Sequence, residues 1–576
     1  MKELKTNIKY LYKHFKTSNY LLIINIIINI LMVLISIILP IISAKIIVEL
    51  TNNNLKKVIY VALALALIKS FRTLLNYFGT LTNYKIYNNV LSNLRKALIR
   101  KTHTLTNKTL DNNSTGIFVR RIKNDSETIA TTYWKISTAL KNIITTIGTF
   151  IAIFIISHTI CIFAFIYLFL IIIMDNYNQN KTRKMRETTN KESEQSTSII
   201  TETIHGIRDI KMLNIENNTK KILNNQINKV ILYSKKERET NQLIGTLTDL
   251  VSNICDLLLI VLYIYLITDN KLTIVNALVL YNYTLYLSSF HGYTGEIFNY
   301  ISKFNIATNR VKDLFDNEKF QIETFGTKHI KKVKGKFEFK DVYFSYKRTE
   351  VLKGVSFTVN PDETVAFVGK TGSGKTTIFN LLCKMYEVDK GEILIDDINI
   401  NELDKDTIRG NITVISQNPY IFNMSIKENL KLVKPNLTNK EMKEACKIAC
   451  LEDFIEKLPD KYDTILGESG VTLSGGQKQR LAIARALIQK TEIILFDEAT
   501  SALDNETQEK ITKAINNMKK EYTIMIIAHR LSTIVNADKI FFLNNGKIEA
   551  QGTHEHLLKH SKEYKKLYEK EIKKGK

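Results

Sequence analysis

The sequence predicts a multi-domain protein: an N-terminal all-α transmembrane domain of six helices, followed by a C-terminal α/β domain built on a phosphate-binding loop. Three observations carry that prediction. Apolar runs almost free of charge crowd the first half of the 576 residues. After about Lys336, short Val/Ile/Phe strands alternate with polar helices, the pattern of a soluble α/β layer. Residues 369–376 fit G-x-x-x-x-G-K-[ST] without exception. A chain this long exceeds what one core supports. The expected divisions are 1–316 for the membrane half, 317–335 for a linker and 336–576 for the α/β half.

A spanning helix needs about 20 mostly apolar residues. The candidates are Tyr20–Val48, Val58–Phe78, Ile143–Ser157, Thr159–Met174, Leu243–Thr268 and Leu272–Phe290. The first apolar run, Leu21 to Ala44, is too long for the 7–15-residue core of a signal peptide, and Pro40 should kink it near one end. Short outer loops are expected at Thr51–Lys57, around His158 and at Asp269–Lys271. Between spans two and three, and again between four and five, long polar segments with few helix breakers should carry helices far beyond the bilayer. Six spans put both ends of this half on the cytoplasmic side.

The formal net charge of +24 would suggest nucleic acid in a soluble protein. Its distribution argues otherwise. Lys2, Lys5, Lys9, Lys13 and Lys16 precede the first span, and the clusters Arg95–Lys101, Arg120–Lys123 and Lys181–Arg186 flank alternate apolar runs, as cytoplasmic loops require. No base-stacking module accompanies them, so no nucleic-acid partner is expected. Cys161, Cys255, Cys383, Cys446 and Cys450 make neither a disulfide framework nor a metal set and read as structural. Ionisable residues at bilayer depth are costly and usually paired or functional. Asp256 on span five is therefore expected either to pair with Lys69 or Arg72 on span two or to line the substrate path with them; the alternative is that tilt places them at an interface and they never meet. Tyr283, Tyr286, Phe290 and Tyr293 repeat at helical spacing on span six, a stripe that suits helix packing better than substrate contact.

In the second half, Gly369-Lys370-Thr371-Gly372-Ser373-Gly374-Lys375-Thr376-Thr377 follows an apolar strand, Thr364–Val368, and opens a helical run. Glycines let the backbone wrap phosphates, the N–H groups and helix dipole favour the anion, Lys375 reaches the β/γ-phosphates and Thr376 offers a hydroxyl to Mg²⁺. A second apolar strand, Ile493–Phe496, ends in Asp497-Glu498, at the edge where α/β sheets bind ligands. There Asp497 can hold Mg²⁺ and Glu498 can polarise an attacking water.

Leu473-Ser474-Gly475-Gly476-Gln477, with Lys478-Gln479-Arg480 behind it, resembles the signature sequence of the ATP-binding cassette (ABC) transporters. The rest of that family's cassette follows in order. Tyr346 resembles the aromatic residue that stacks on adenine. Gln417 resembles the glutamine that senses Mg²⁺ and water and touches the membrane half. Ser501-Ala502-Leu503-Asp504 resembles the loop linking two cassettes, and His529 the histidine holding the γ-phosphate. Asn113-Ser114-Thr115-Gly116 through Asn124-Asp125, and Thr203 to Lys211, look like the two intracellular loops of exporter-type members, whose short coupling helices seat on the cassettes. Arg310 to Asp316 fits the usual connection from the sixth span to the motor.

What the resemblance implies is an exporter-type half-transporter that hydrolyses ATP with Mg²⁺. In that family the signature of one cassette closes over ATP held by another, so Ser474, Gly475, Gly476 and Gln477 would complete a site on a partner, whether a second copy or a homologous half-transporter. Because Glu498 and the signature are both intact, a homodimer is favoured. Catalysis would fall to Glu498 as general base, with His529, Lys375 and Gln417 around the transferring phosphoryl group. The expected substrate is an amphipathic drug, lipid or peptide exported across a bacterial inner or plasma membrane. The alternatives are import of a metal chelate on the same fold, or an ATP-regulated conductance or regulatory subunit. With only about twenty residues before the first span, no fused peptidase domain of the sort found on some peptide exporters is expected.

Overall fold

The computed structural model describes residues 2–14, 19–316, 318–347, 349–467, 470–497, 522–527 and 534–574, with the backbone alone at 2, 13–14, 285–296, 298–299 and 570–574. The chain divides into two compact units: residues 1–103 with 113–320, and residues 104–112 with 321–576.

The first unit is entirely helical. Its long helices are α2 (Asn19–Thr51), α3 (Leu55–His103), α6 (Ser126–Ile156), α7 (His158–His205), α9 (Glu216–Thr268) and α10 (Ile274–Asp316). Among the described residues five helical stretches are long and apolar enough to cross a membrane, those at 19–51, 55–103, 115–156, 158–205 and 216–268. Their joints fall where the polar breaks lie: Asn52-Asn53-Asn54, Ser157, and the turn after Thr268, with Asn53 and Asn270 in the left-handed conformation. Pro40 sits inside α2, where Tyr283, fully buried, donates its hydroxyl to the Ile37 carbonyl at 2.7 Å. Tyr283 therefore packs helix on helix. The side chains of Tyr286, Phe290 and Tyr293 lie outside the described residues.

Helices α7 and α9 contain 48 and 53 residues, hence about 72 and 80 Å at 1.5 Å per residue. A hydrocarbon core of about 30 Å leaves about three fifths of each outside it. The pairing chemistry changes along them accordingly. Tyr167 and Ser252 share a hydroxyl contact of 2.8 Å within the apolar part, while Asn178 bonds Asn241, Arg186 meets Glu237 at 3.2 Å and Gln226 donates to Glu192 in the polar extension. Helices α2, α3 and α6 are joined by a small polar network of Asn25, Asn29, Asn83 and Ser137, each bond 2.8–3.2 Å. In an apolar medium such groups must satisfy one another.

One feature departs from sequence reasoning and one open alternative narrows. The basic segment before the first span folds as its own helix, α1 (Lys2–His14), which buries Asn7 against Asn305 and sets Tyr10 under Lys312 of α10. Of the readings open for Asp256, an ion pair with Lys69 or Arg72 is not made among the described residues. The helix carrying Asp256, α9, packs chiefly along α7, whereas α3 packs on α2 and α6, and Lys69 is exposed.

The second unit holds two sheets. An antiparallel sheet has the order β2-β1-β4-β5, from β1 (Phe337–Tyr346), β2 (Thr349–Val359), β4 (Lys390–Ile395) and β5 (Ile398–Asn399). The larger runs β10-β9-β3-β8-β7-β6, with β3 (Thr364–Gly369), β6 (Ile412–Ile415), β7 (Ile493–Asp497), β8 (Thr523–Ile527) and β9 (Lys539–Asn544) parallel and β10 (Lys547–Gly552) antiparallel at the edge. One core, around stacked Phe367 and Phe541, fills the space between the sheets and α11 (Lys375–Leu382). A second is built from α13 (Ile426–Lys431), α14 (Asn439–Ile448), α16 (Gly475–Gln489), β6 and β7. All five cysteines are free thiols, and burial pushes Cys383 and Cys446 up to about 12, so both stay protonated and inert.

Residues 321–330 are held to this unit by polar contacts. Glu323 receives a bidentate pair from Arg409 at 2.6 and 3.0 Å, and the guanidinium also lies over Phe325 at 5.1 Å. Gly326 and Lys328 donate to the carbonyls of Leu403 and Glu402. Replacing Arg409 by Ala leaves a mostly buried carboxylate with only the Lys405 ammonium at 3.8 Å and should cost about 2 kcal/mol. The measurement is amide exchange at 321–325 in the full chain, expected to quicken. Arg409→Lys should rescue little, because one ammonium cannot supply the two parallel N–H bonds. Exchange unchanged in R409A would mean the clamp carries no stability.

Candidate nucleotide site

Strand β3 is buried at every position and lies between β8 and β9, so its C-terminal end delivers the phosphate loop into the middle of the sheet's ligand-binding edge. The loop's shape depends on glycine. Gly374, the cap of α11, has φ +102°, and a Cβ there would lie 2.6 Å from Leu352 Cδ2; one on Gly369 would lie 2.1 Å from the Leu543 carbonyl oxygen. Lys375 is 5% exposed and arches over the loop, its ammonium donating to the carbonyls of Gly369 (2.9 Å) and Lys370 (3.1 Å). Thr371 and Gly372 are exposed at the tip, while Ser373 and Thr377 are buried. The Ser373 hydroxyl has no hydrogen-bond partner among the described residues. A loop with an unspent buried hydroxyl, a buried cation and the N-terminus of α11 fits a polyphosphate.

Strand β7 lies two strands away from β3, with β8 between them, a separation of about 10 Å at 4.8 Å per strand. Thr376 closes that gap, its hydroxyl donating to Asp497 Oδ1 at 3.2 Å. Two of the three residues expected around Mg²⁺ therefore meet directly, and a hydroxyl with a carboxylate is the hard-oxygen set that ion takes. Gln417 stands two residues past β6, and its carbonyl accepts from Gln479 of α16 at 3.2 Å. Glu498, His529 and the Ser501–Asp504 segment lie outside the described residues.

Tyr346 closes β1. Its hydroxyl accepts from Asn380 of α11 at 3.2 Å, and its ring meets Phe344 and Tyr386 edge-on at 4.8 and 5.2 Å. The signature begins α16 as a capping box. Ser474 Oγ accepts from the Gln477 amide at 3.3 Å, and Gln477 returns its side-chain oxygen to the Ser474 amide at 2.8 Å. Gly475 and Gly476 are thus the bare first turn of a helix whose dipole favours anions. Helix α16 belongs to the second core and α11 to the first, so the two motifs are rooted separately.

Sequence reasoning missed the supports. Gln479, 1% exposed, looks like an ordinary helix glutamine until its bond to Gln417 is seen. Asn429, fully buried, shapes the segment behind Gln417: its amide donates to the carbonyls of Phe422, Met424 and Ser425 at 3.0 Å, and Arg485 donates to its oxygen. Asn429→Ala should destabilise the chain by about 2–4 kcal/mol, since it orphans several buried groups at once. Thermal unfolding measures this; a loss below about 0.5 kcal/mol would mean that water replaces the amide.

Residues 22–289 match the family described as the ABC transporter transmembrane region, and residues 352–501 match the family described as ABC transporter. The chain is 45% identical over 246 residues to an ATP-dependent lipid A-core flippase of Haemophilus influenzae (strain 86-028NP), covering 42% of each chain. It is 38% identical over 306 residues to the heavy metal tolerance protein of Schizosaccharomyces pombe, covering 53% of this chain and 37% of the relative. The chain thus spans about two fifths of the length of the curated relatives it matches. A solved bacterial Atm1-family ABC exporter with ATP bound superposes with a TM-score of 0.82 at 26% identity, covering 96% of this chain and 98% of that one. With both families matched in one polypeptide and an exporter fold matched nearly end to end, the chain belongs to the ABC transporters, as a transmembrane region fused to a nucleotide-binding cassette in the exporter-type arrangement.

Proposed function

We propose that the chain is an ATP-driven exporter that moves an amphipathic small molecule, lipid or peptide across a bacterial inner or plasma membrane, working as a homodimer by alternating access. The observation that supports this is the contact between Thr376 and Asp497 at the end of the phosphate loop, on the same polypeptide as five described membrane-length helices. The basic clusters on alternate loops support a cytoplasmic cassette.

In this reading Lys375 neutralises charge on the β/γ-phosphates, Ser373 and the loop amides bind the remaining oxygens, and Tyr346 takes the adenine. Mg²⁺, held by Thr376 and Asp497 with Gln417 beside them, would neutralise charge on the phosphoryl group in transfer. Glu498 accepts the proton of the attacking water, and His529 steadies the γ-phosphate. The bare turn of Gly475 and Gly476, rooted in a core apart from the phosphate loop, is available to ATP on a second cassette. Joining two cassettes would draw in the intracellular loops and turn the cavity outward; hydrolysis would reset it.

Purified protein in proteoliposomes should show Mg²⁺-dependent ATPase activity, stimulated by an amphipathic compound that accumulates on the side opposite the cassette. Accumulation on the cassette's own side would favour an importer. Stimulated ATPase activity with no accumulation on either side would favour a conductance or regulatory subunit.

A further inference from the structure

A short helix from the membrane half is part of the second unit. Helix α4 (Asn107–Asp111) lies in residues 104–112, which fold with the cassette. Two backbone bonds tie its leading strand to the segment after the last long helix: Thr106 N–H to the Gln321 carbonyl at 2.9 Å, and Glu323 N–H to the Thr104 carbonyl at 2.8 Å. Glu323 is the residue clamped by Arg409, and Arg409 also donates to the carbonyls of Cys383 and Lys384, where α11 ends. The base of α4 is therefore fastened to the helix that begins at Lys375.

The tip of α4 is fastened to something else. Tyr386 donates its hydroxyl to the Asp111 carboxylate, and the same ring meets Tyr346 edge-on at 5.2 Å and Phe344 at 5.6 Å. Burial, and then the Asp111 carboxylate, hold the Tyr386 phenol far above its ordinary range, so it remains a donor at physiological pH. A cavity of about 360 Å³ opens beside these groups, lined by Asp111, Asn112, Tyr346, Lys347 and Tyr386 among others. The Tyr346 ring is thus steadied by Asn380 at its hydroxyl and by aromatic edges, with open space next to it.

We propose that Tyr386 is a positioning residue that orients Tyr346 for the nucleotide base and relays base stacking to α4 through Asp111. The inference rests on the reading of Tyr346 as the adenine-stacking residue. A base on the Tyr346 face fixes its tilt; the edge contact passes that constraint to Tyr386, and the hydroxyl passes it to Asp111. Base identity then matters twice, in affinity and in the ordering of α4. A purine stacks more strongly than a pyrimidine, so ATP should order α4 more than CTP does at equal occupancy.

The test is hydrogen exchange at the amides of residues 107–112 in the full chain in lipid nanodiscs, read at saturating ATP, at saturating CTP and without nucleotide, beside KM for each. In wild type, ATP should slow exchange there by about threefold more than CTP. Tyr386→Phe keeps the ring and drops the hydroxyl, so KM for ATP should stay within about twofold while the difference between ATP and CTP at α4 disappears. Asp111→Ala should do the same, and Asp111→Asn, which still offers an accepting oxygen, should restore most of it. Tyr386→Ala should in addition raise KM for ATP by about fivefold and for CTP much less, because a loosened Tyr346 stacks poorly. The proposal is overturned if α4 in Tyr386→Phe responds to ATP as wild type does, or if Tyr386→Ala lowers kcat with both KM values unchanged. Tyr346→Ala separates the underlying reading: if it leaves KM for ATP unchanged, Tyr346 does not stack the base, whatever Tyr386 does.

Discussion

Glu498→Gln should leave ATP binding within about twofold of wild type and lower turnover at least about a hundredfold, the contribution a general base makes. In sequence the residue directly follows Asp497, whose carboxylate already meets Thr376 at the end of β7. Glutamine has nearly the same shape and can still hold a water, but it cannot accept the proton that the water sheds. Binding and chemistry should therefore separate, and the variant should accumulate with ATP bound and its cassettes joined. Asp497→Asn makes the contrast: it removes charge from the Mg²⁺ set and should raise the Mg²⁺ concentration needed for activity. The measurements are phosphate release, nucleotide affinity and Mg²⁺ titration on the purified chain in lipid. Turnover of E498Q within about tenfold of wild type would assign the base elsewhere.

The parts that were legible are those whose chemistry restricts the residue type. Gly369 and Gly374 tolerate no Cβ beside Leu543 and Leu352, and the buried strand before them has nowhere to end except at the sheet's ligand edge. The spans were legible because lipid demands length and apolarity, and the joints at Asn52–Asn54 and Ser157 fall in polar breaks. What stayed hidden depends on pairing across long separations. Residues 321–330 carry no apolar periodicity and read as a linker, yet Glu323 is clamped by Arg409, 86 positions away. Helix α1 read as loop charge because its lysines outnumber Asn7 and Tyr10, the residues that seat it on α10. Asp256 invited a partner by depth alone, and depth does not say which helices touch. Ser474 and Gln477 read as nucleotide contacts; the structure adds that each caps the other's backbone, so one motif both ends a loop and bares a helix turn.

That bared turn makes the second large effect a property of two chains. Lys375→Ala removes the cation of the phosphate loop, and Gly476→Glu sets an acid in the first turn of α16. There the helix dipole stabilises the acid by about 0.3–1 kcal/mol, so the fold is kept, but its charge opposes a γ-phosphate approaching from another cassette. Each variant alone should lose at least about a hundredfold in ATPase activity, because every site in its homodimer is spoiled. Co-expressed in equal amounts, the two should recover about a quarter of wild-type activity. Half of randomly formed dimers pair one of each chain, and in those one site joins an intact phosphate loop to an intact signature while the other holds both lesions. If the two motifs served the same nucleotide within one chain, every site in the mixture would carry a lesion and no activity would return. The separate cores of α11 and α16 make the experiment clean, because each motif can be altered without unseating the other.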